Sequence, residues 1–335
     1  MKIGTFDLDL EVLVVAEIGN NHEGNVALAE KMIGLAAEAG AGAVKFQAIV
    51  PERLVSVEQT ARIEQLRRFQ LKEQDLEKLA ERARREGVIF LCTPFDIETA
   101  RFLNPLVPAF KVASGDSTFY PLLETVADTG KPILLSVGGT TLEEVKRTRD
   151  FIRTRWERRK VGGGLVLLHC VISYPTPPEE ANLQAVETLK GLGEVVGYSD
   201  HTLGVDAAVL SVALGARIVE KHFTIRKDYS DFRDHRISAD PDDLKEMVKR
   251  IQETRSMLGD GERKPGKSER QSIEAVRRSI TACRELPAGT RIELSHLCWV
   301  RPGGGIAPGR ESELLGRVLK RAIRAGERIV QEDLA

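Results

Sequence analysis

Eight short, almost wholly apolar runs recur along the first two thirds of the chain, each ending in polar residues and most leading into an amphipathic helical stretch. The runs are Leu13–Ile18, Ala43–Phe46, Val88–Cys92, Ala109–Ala113, Pro132–Val137, Leu165–Val171, Val195–Tyr198 and Ala216–Val219. Their unbroken apolar texture is that of parallel strands buried on both faces. Helical periodicity falls between them, over Val26–Ala39, Glu73–Arg85, Pro121–Asp128, Thr141–Arg158, Leu183–Lys190, Val205–Leu214 and Pro241–Leu258. Gly40, Gly87, Gly130, Gly191 and Gly215 stand where glycine ends a helix. Eight strand-then-helix units in about 260 residues predict a (β/α)8 TIM barrel. The competing doubly wound sheet carries a glycine fingerprint after its first strand. Here that strand runs into Glu17-Ile18-Gly19-Asn20-Asn21-His22-Glu23, the wrong chemistry for a pyrophosphate turn. Residues Ile49–Leu71 are too long for a simple connection and read as a rim loop or lid.

The periodicity breaks at Asp260-Gly261-Glu262-Arg263-Lys264-Pro265-Gly266-Lys267. The reading is a barrel domain over residues 1–260, a linker over 261–276 and a small domain over 277–335. The last has short β-like runs, a glycine-rich loop (Arg301-Pro302-Gly303-Gly304-Gly305-Ile306) and one helical stretch, Glu311–Leu315. Charge is split along the same line. Residues 261–335 hold 15 Lys+Arg against 10 Asp+Glu, a net of +5, so the rest of the chain, with 34 against 40, carries −6. A small basic domain of this size is expected to pack on an acidic barrel, its own or a partner's.

Composition excludes several classes. No stretch approaches the ~20 apolar residues of a membrane helix, and the N-terminus has no signal-peptide core. A formal net charge of −1 gives no reason to expect nucleic acid. The four cysteines, Cys92, Cys170, Cys283 and Cys298, form no CxxC pair, and a reducing cytoplasm is the expected compartment.

A (β/α)8 barrel acts at the C-terminal ends of its strands. Those ends supply Glu17, Asn20, Asn21 and His22; Lys45 and Gln47; Thr93 and Asp96; Lys111, Ser114 and Asp116; Ser136; His169 and Tyr174; Ser199, Asp200 and His201; Glu220, Lys221 and His222. Lysines inside apolar runs, as at Lys45 and Lys111, are seldom buried without an anion. The anion is either a barrel carboxylate or, with Ser114, Ser136 and Ser199 beside them, a bound phosphate or carboxylate. His201 and His222 end neighbouring strands about 4.8 Å apart. They are read either as structural histidines or as two ligands of one divalent ion that leave positions open for water and substrate.

The motifs also carry a resemblance. Ala16-Glu17-Ile18-Gly19-Asn20-Asn21-His22-Glu23-Gly24, Val44-Lys45-Phe46-Gln47, Thr93-Pro94-Phe95-Asp96, Lys111-Val112-Ala113-Ser114-Gly115-Asp116, Leu168-His169-Cys170, Tyr174-Pro175, Tyr198-Ser199-Asp200-His201-Thr202 and Glu220-Lys221-His222-Phe223-Thr224 stand in the order found in the sialic acid (N-acetylneuraminate) synthase family. Arg301-Pro302-Gly303 and Gly305-Ile306 resemble its C-terminal antifreeze-like (SAF) domain. The resemblance implies condensation of phosphoenolpyruvate with the aldehyde of an N-acetylated amino sugar such as N-acetylmannosamine, with release of phosphate. It implies Mn²⁺ or Mg²⁺ on His201 and His222, and phosphoenolpyruvate on Lys45, Lys111, Ser114, Ser136, Tyr174 and Ser199. Glu17 and Asp116 become the acid–base candidates, without an assignment between them. Gln47 and Asp234 would face the sugar. Arg301 would reach it from the partner subunit of a domain-swapped homodimer. Two alternatives are a 3-deoxy-ulosonate phosphate synthase, against which the SAF-like tail speaks, and a barrel that only binds sugar.

Two departures from the family pattern concern the site. Ile172 stands where relatives often carry Thr or Asn ahead of Tyr174, and Ser136-Val137-Gly138-Gly139 replaces the usual Ser-Thr-Gly-Met. A third is Asp231-Phe232-Arg233-Asp234-His235, one residue longer than the usual Pro-Gly-Pro-Asp-His. The second and third lie where sugar contacts are expected, so they bear on the sugar more than on the chemistry.

Overall fold

All eight apolar runs form strands, and all eight run parallel. They are β1 (Leu13–Gly19), β2 (Ala43–Ala48), β3 (Ile89–Pro94), β4 (Phe110–Val112), β5 (Ile133–Ser136), β6 (Leu165–His169), β7 (Val195–Asp200) and β8 (Ile218–His222). The computed structural model describes residues 1–270 and 272–335 with their side chains. The strand order is β3-β2-β1-β8-β7-β6-β5-β4. Neighbours are joined by backbone ladders throughout, and the two edges, β3 and β4, lie against each other. The sheet is thus a nearly closed barrel.

Side-chain alternation sorts each strand into two faces. Val14, Ala16, Val44, Phe46, Phe90, Phe110, Leu135, Leu167 and Val219 join the helices in one large apolar cluster. Leu13, Val15, Ala43, Leu91, Ala109, Leu134, Leu168 and Ile218 fill the barrel interior. An N-terminal hairpin of Lys2–Ile3 and Phe6–Asp7 adds Ile3 and Leu8 to this interior cluster. It was not expected, because two-residue strands carry no periodicity.

The helices begin where capping chemistry allows. Thr141 and Asp240 each cap with a reciprocating acid, Glu144 and Asp243, at the starts of Leu142–Arg159 and Pro241–Leu258. The helix Ile97–Leu103, capped by Asp96, is too short to show in the sequence pattern. The rim segment contains two helices, Pro51–Leu54 and Thr60–Phe69. No helix among the described residues is long and apolar enough to cross a membrane.

The chain divides into two units, Met1–Gly259 and Asp260–Ala335. Within the second, Lys267–Val276 forms a helix in the stretch read as a linker. Glu269 turns back to the Gly266 amide at 2.8 Å, an N-terminal signal masked by the preceding Pro-Gly. Strands β9 (Ser279–Ala282) and β10 (Leu297–Val300) pair antiparallel over a separate apolar cluster of Ile280, Leu286, Ile292, Leu319 and Ile329. The expected helical stretch at Glu311–Leu315 is a single 3-10 turn, Glu311–Glu313.

Candidate active site

Counting by two from the interior apolar residues reaches the site. Val15 leads to Glu17, Ala43 to Lys45 and Gln47, Leu91 to Thr93, Ala109 to Lys111, Leu134 to Ser136, and Ile218 to Glu220 and His222. These polar residues share the interior face and crown the apolar layer at the C-terminal ends of the strands. Glu17, Lys45, Lys111, Ser114, Ser136, Tyr174, Ser199, His201 and Glu220 all line one inner cavity of about 170 Å³. Beside it, an outer cavity of about 600 Å³ is bounded by Gln47, Tyr174, His222, Asp234 and the rim segment.

Both lysines sit among carboxylates. Lys45 Nζ lies 2.9 Å from Glu17 Oε2 and 3.6 Å from Glu220 Oε2, and donates to Thr93 Oγ1 at 3.2 Å. Lys111 Nζ lies 3.7 Å from Glu220 Oε1 and otherwise meets only the Val112 carbonyl at 3.4 Å. Glu220 also accepts from Ser199 Oγ at 2.9 Å. Burial alone would raise its pKa, but the two ammoniums outweigh burial and hold Glu220 down to about 2. Glu17 goes the other way: burial, helped by Glu220, raises it against the pull of Lys45. Burial lowers Lys45, yet Glu17 and Glu220 more than restore it. Lys111, with its single distant carboxylate, is lowered by burial. The crown therefore sets two lysines against two carboxylates, Glu17 and Glu220, with Lys45 engaged by both and Lys111 keeping donors to spare. Ser136 Oγ is likewise buried with no partner. These groups suit an incoming anion.

Gln47 bridges inner and outer cavities, donating to Glu17 Oε1 at 2.9 Å and accepting from Asn20 at 3.0 Å. Ser114 Oγ accepts from the Gly138 amide at 3.0 Å. Asp116 is half-buried and outside the residues lining either cavity, and burial raises its pKa to about 6. Asp200 and Lys221, also strand-end residues, pair with each other at 2.8 Å rather than with the crown. Arg301 lies in the second unit, exposed.

His201 and His222 come together, with ring centroids 5.6 Å apart and Tyr174 against both. His201 Nδ1 is engaged by the Val171 carbonyl at 2.7 Å, the second contact typical of a metal-bound imidazole. His222 Nδ1 is buried without a partner. Burial is the largest cause that lowers both pKa values to about 4, so both rings are neutral near pH 7, as ligation requires. Among the described residues no group of three or more His, Cys, Asp or Glu is placed to hold an ion. The pair fits a divalent metal as two ligands whose remaining positions fall to water and substrate.

Ile172 lines the inner cavity with 59% of its surface exposed. It packs on Gly138 and Gly139: a Cβ at Gly139 would stand 2.8 Å from Ile172 Cδ1. The two departures noted above are thus one local rearrangement. The third is anchored by His235, which contacts Glu23 Oε1 at 3.0 Å and Thr224 Oγ1 at 2.7 Å.

Glu220 and Thr93 stood in the strand-end inventory but drew no role. Their alternation with Ile218 and Leu91 is the signal that identifies them. The clamp between His235 and Glu23 joins residues 212 apart and left no local signal.

Fold and crown together define a (β/α)8 enzyme whose charged inner cavity suits a small anionic substrate. Residues 32–263 match the NeuB family and residues 277–335 the SAF domain. An uncharacterized protein of Methanocaldococcus jannaschii is 42% identical over 328 residues, 96% of this chain and 94% of that one. The N,N'-diacetyllegionaminic acid synthase of Campylobacter jejuni is 36% identical over 334 residues, 95% of this chain and 99% of that one. The crystal structure of N-acetylneuraminic acid (sialic acid) synthetase from Leptospira borgpetersenii is 34% identical with a TM-score of 0.77, covering 82% of this chain and 95% of that one. The chain belongs to the NeuB family, with a C-terminal SAF domain: it is a phosphoenolpyruvate-dependent nonulosonic acid synthase, a transferase.

Proposed function

We propose that the sugar is an N-acetylated amino-sugar aldehyde, and among these a diacetamido-trideoxy hexose of the kind that leads to legionaminic acid. The observation that carries this reading is the outer cavity, whose wall includes Ile49, Leu54, Leu66, Phe69, Phe95 and Phe232. Phe69 and Phe232 meet with centroids 4.9 Å apart. A second acetamido methyl and a 6-deoxy carbon match such a wall better than hydroxyls do. The kinship to the Campylobacter enzyme supports the same choice.

Phosphoenolpyruvate occupies the inner cavity in this reading. Its roughly threefold negative charge meets Lys45 and Lys111, while Ser114, Ser136, Tyr174 and Ser199 supply hydroxyls. Carbon 3 bonds to the aldehyde carbon, whose oxygen takes a proton. Water adds to carbon 2, and the C–O bond to phosphate breaks to leave the 2-keto acid. Glu17, which lines the inner cavity with a raised pKa, is the carboxyl in place to hold and move these protons; Asp116, also raised, stands outside that lining. His201 and His222 would hold the divalent ion, which when bound supplies Lewis-acid polarisation of the aldehyde oxygen. All four cysteines are free, in keeping with a reducing cytoplasm.

The test is phosphate release from phosphoenolpyruvate with Mn²⁺ across N-acetylmannosamine, its 6-phosphate, diacetamido-trideoxy hexoses and arabinose 5-phosphate. The diacetamido sugar is expected to give a kcat/KM about 10-fold or more above N-acetylmannosamine, the usual value of one well-placed apolar group. Equal or better turnover of N-acetylmannosamine sinks the sugar assignment. Preference for its 6-phosphate would instead assign Arg62 and Arg233, both on the outer wall, to a phosphate.

We further propose a homodimer in which each SAF domain covers the partner's barrel mouth and brings Arg301 to the acyl group. The +5 net charge of residues 261–335 and the exposure of Arg301 support it. Sedimentation at micromolar concentration is expected to give the mass of two chains; a monomer overturns both the dimer and this role for Arg301.

A further inference from the structure

Arg217 and Arg255 share a cleft at the end of the barrel away from the crown. Arg217 directly precedes β8, and Arg255 lies in the last turn of helix Pro241–Leu258. The cleft, of about 360 Å³, is lined by six ionisable side chains: Asp9, Glu187, Lys190, Glu194, Arg217 and Arg255. Two of the three carboxylates are already engaged. Asp9 meets the N-terminal ammonium at 2.5 Å, and Glu194 pairs with Arg153. Lys190 is an exposed residue of the cleft lining, its Nζ 3.5 Å from where a side chain at Gly215 would begin.

The two guanidiniums have no such partners. Neither forms an ion pair among the described residues, and Arg217 Nη1 and Arg255 Nε are both buried without any acceptor. The cleft is lined by three cations and three carboxylates, but Asp9 and Glu194 each have another cation, the N-terminal ammonium and Arg153, and among the described residues no carboxylate lies within ion-pair distance of either arginine. Buried donors without acceptors are costly, and like charges side by side cost more. Burial, and then the neighbouring Arg255, lower the pKa of Arg217 against the weaker opposing pull of Asp9. Two planar donor forks and an ammonium around one space are stabilised by a group with several acceptor oxygens and two negative charges.

We infer that this cleft is a second anion site, which takes the phosphoryl group of a small phosphorylated metabolite. It lies about 17 Å from the metal-ligand end of β8, counting Arg217 to His222 at ~3.3 Å per residue. Its volume exceeds that of a bare phosphate and leaves room for a small organic part. A phosphate ester therefore binds more tightly than inorganic phosphate.

The test separates this site from the crown, which also receives phosphate. Inorganic phosphate and ribose 5-phosphate are each titrated calorimetrically into full-length Lys111→Ala, in which phosphate binding at the crown is weakened. One saturable site per chain is expected, with ribose 5-phosphate the tighter ligand. Adding Arg217→Gln and Arg255→Gln is expected to weaken it at least 10-fold, and to leave the anion-free melting temperature unchanged or raised because the repulsion is gone. Arg255→Gln alone, on the outer helix, carries the same test if the fuller variant does not fold. Arg255→Lys, which keeps the charge but loses the fork, is expected to weaken binding by less than Arg255→Gln. Unchanged isotherms in the arginine variants overturn the proposal, and so does the absence of binding by either phosphate at 10 mM, a level set as roughly that of a weak metabolite site. Equal affinity for the two ligands overturns the ester preference. The sugar panel does not involve this cleft, so either result can fail without the other.

Discussion

Lys45→Met is expected to lower the unfolding free energy of the barrel by about 3–5 kcal/mol, the usual consequence of removing one partner from a buried ion pair. Lys45 stands between Glu17 and Glu220, all three almost completely buried. Methionine keeps the stem's volume but leaves two carboxylates facing each other with only Lys111 to offset them. For a unit of 259 residues, about 2–4 °C per kcal/mol converts this to a fall in Tm of about 10 °C. Turnover is expected to fall by at least about 10²–10³-fold, the scale of one lost charge-stabilising donor in a closed site. Combining Lys45→Met with Glu17→Gln isolates the effect on stability, since Glu17→Gln by itself also removes a proton-transfer group. Neutralising Glu17 removes the uncompensated charge, so most of the stability returns while phosphate release stays lost. A single variant that melts with the wild type and turns over normally would show that the lysine is not what balances the crown.

Stripping the metal is expected to abolish condensation and leave the fold intact. EDTA treatment lowers the rate by about 10²–10³-fold, and Mn²⁺ restores it; several kcal/mol of Lewis-acid stabilisation, at 1.36 kcal/mol per factor of ten, sets that scale. His222→Ala is expected to show the same loss without rescue at ordinary Mn²⁺ concentrations. Direct measurement of bound Mn²⁺ should give one ion per wild-type chain and none in His222→Ala. Full activity in protein shown to be free of metal would refute the two-histidine site, whatever the variant does.

How far the sequence alone reaches follows from where the information lies. The strands were legible because burial on both faces forces continuous apolar runs, and the ends of those runs place Glu17, Lys45, Lys111, Ser136 and His222 at one mouth. The pairings among them were not legible. Lys45 reaches Glu220 across β1, and only the register, with Glu17 opposite Lys45 and His222 opposite Glu17, brings the three together. Of the two kinds of anion weighed for each lysine, Lys45 already meets barrel carboxylates, Glu17 and Glu220. Lys111 has only one distant carboxylate and capacity left over. Short elements failed for a different reason. Ile97–Leu103 and the Lys2–Asp7 hairpin are too brief for periodicity to declare, and both owe their place to the cluster they cover. The helix at Lys267–Val276 was hidden by Pro265-Gly266, which read as a break and is in fact its start.

The contact between Ile172 and Gly139 ties two stretches of the cavity wall into one unit. Gly139 has a left-handed backbone, with φ of +72°, and its missing side chain is the space that Ile172 Cδ1 borders. Any side chain placed at residue 139 both strains that backbone and displaces the tip of Ile172. The two positions therefore form a single adjustable joint in the wall, and exchanges there are best made in pairs.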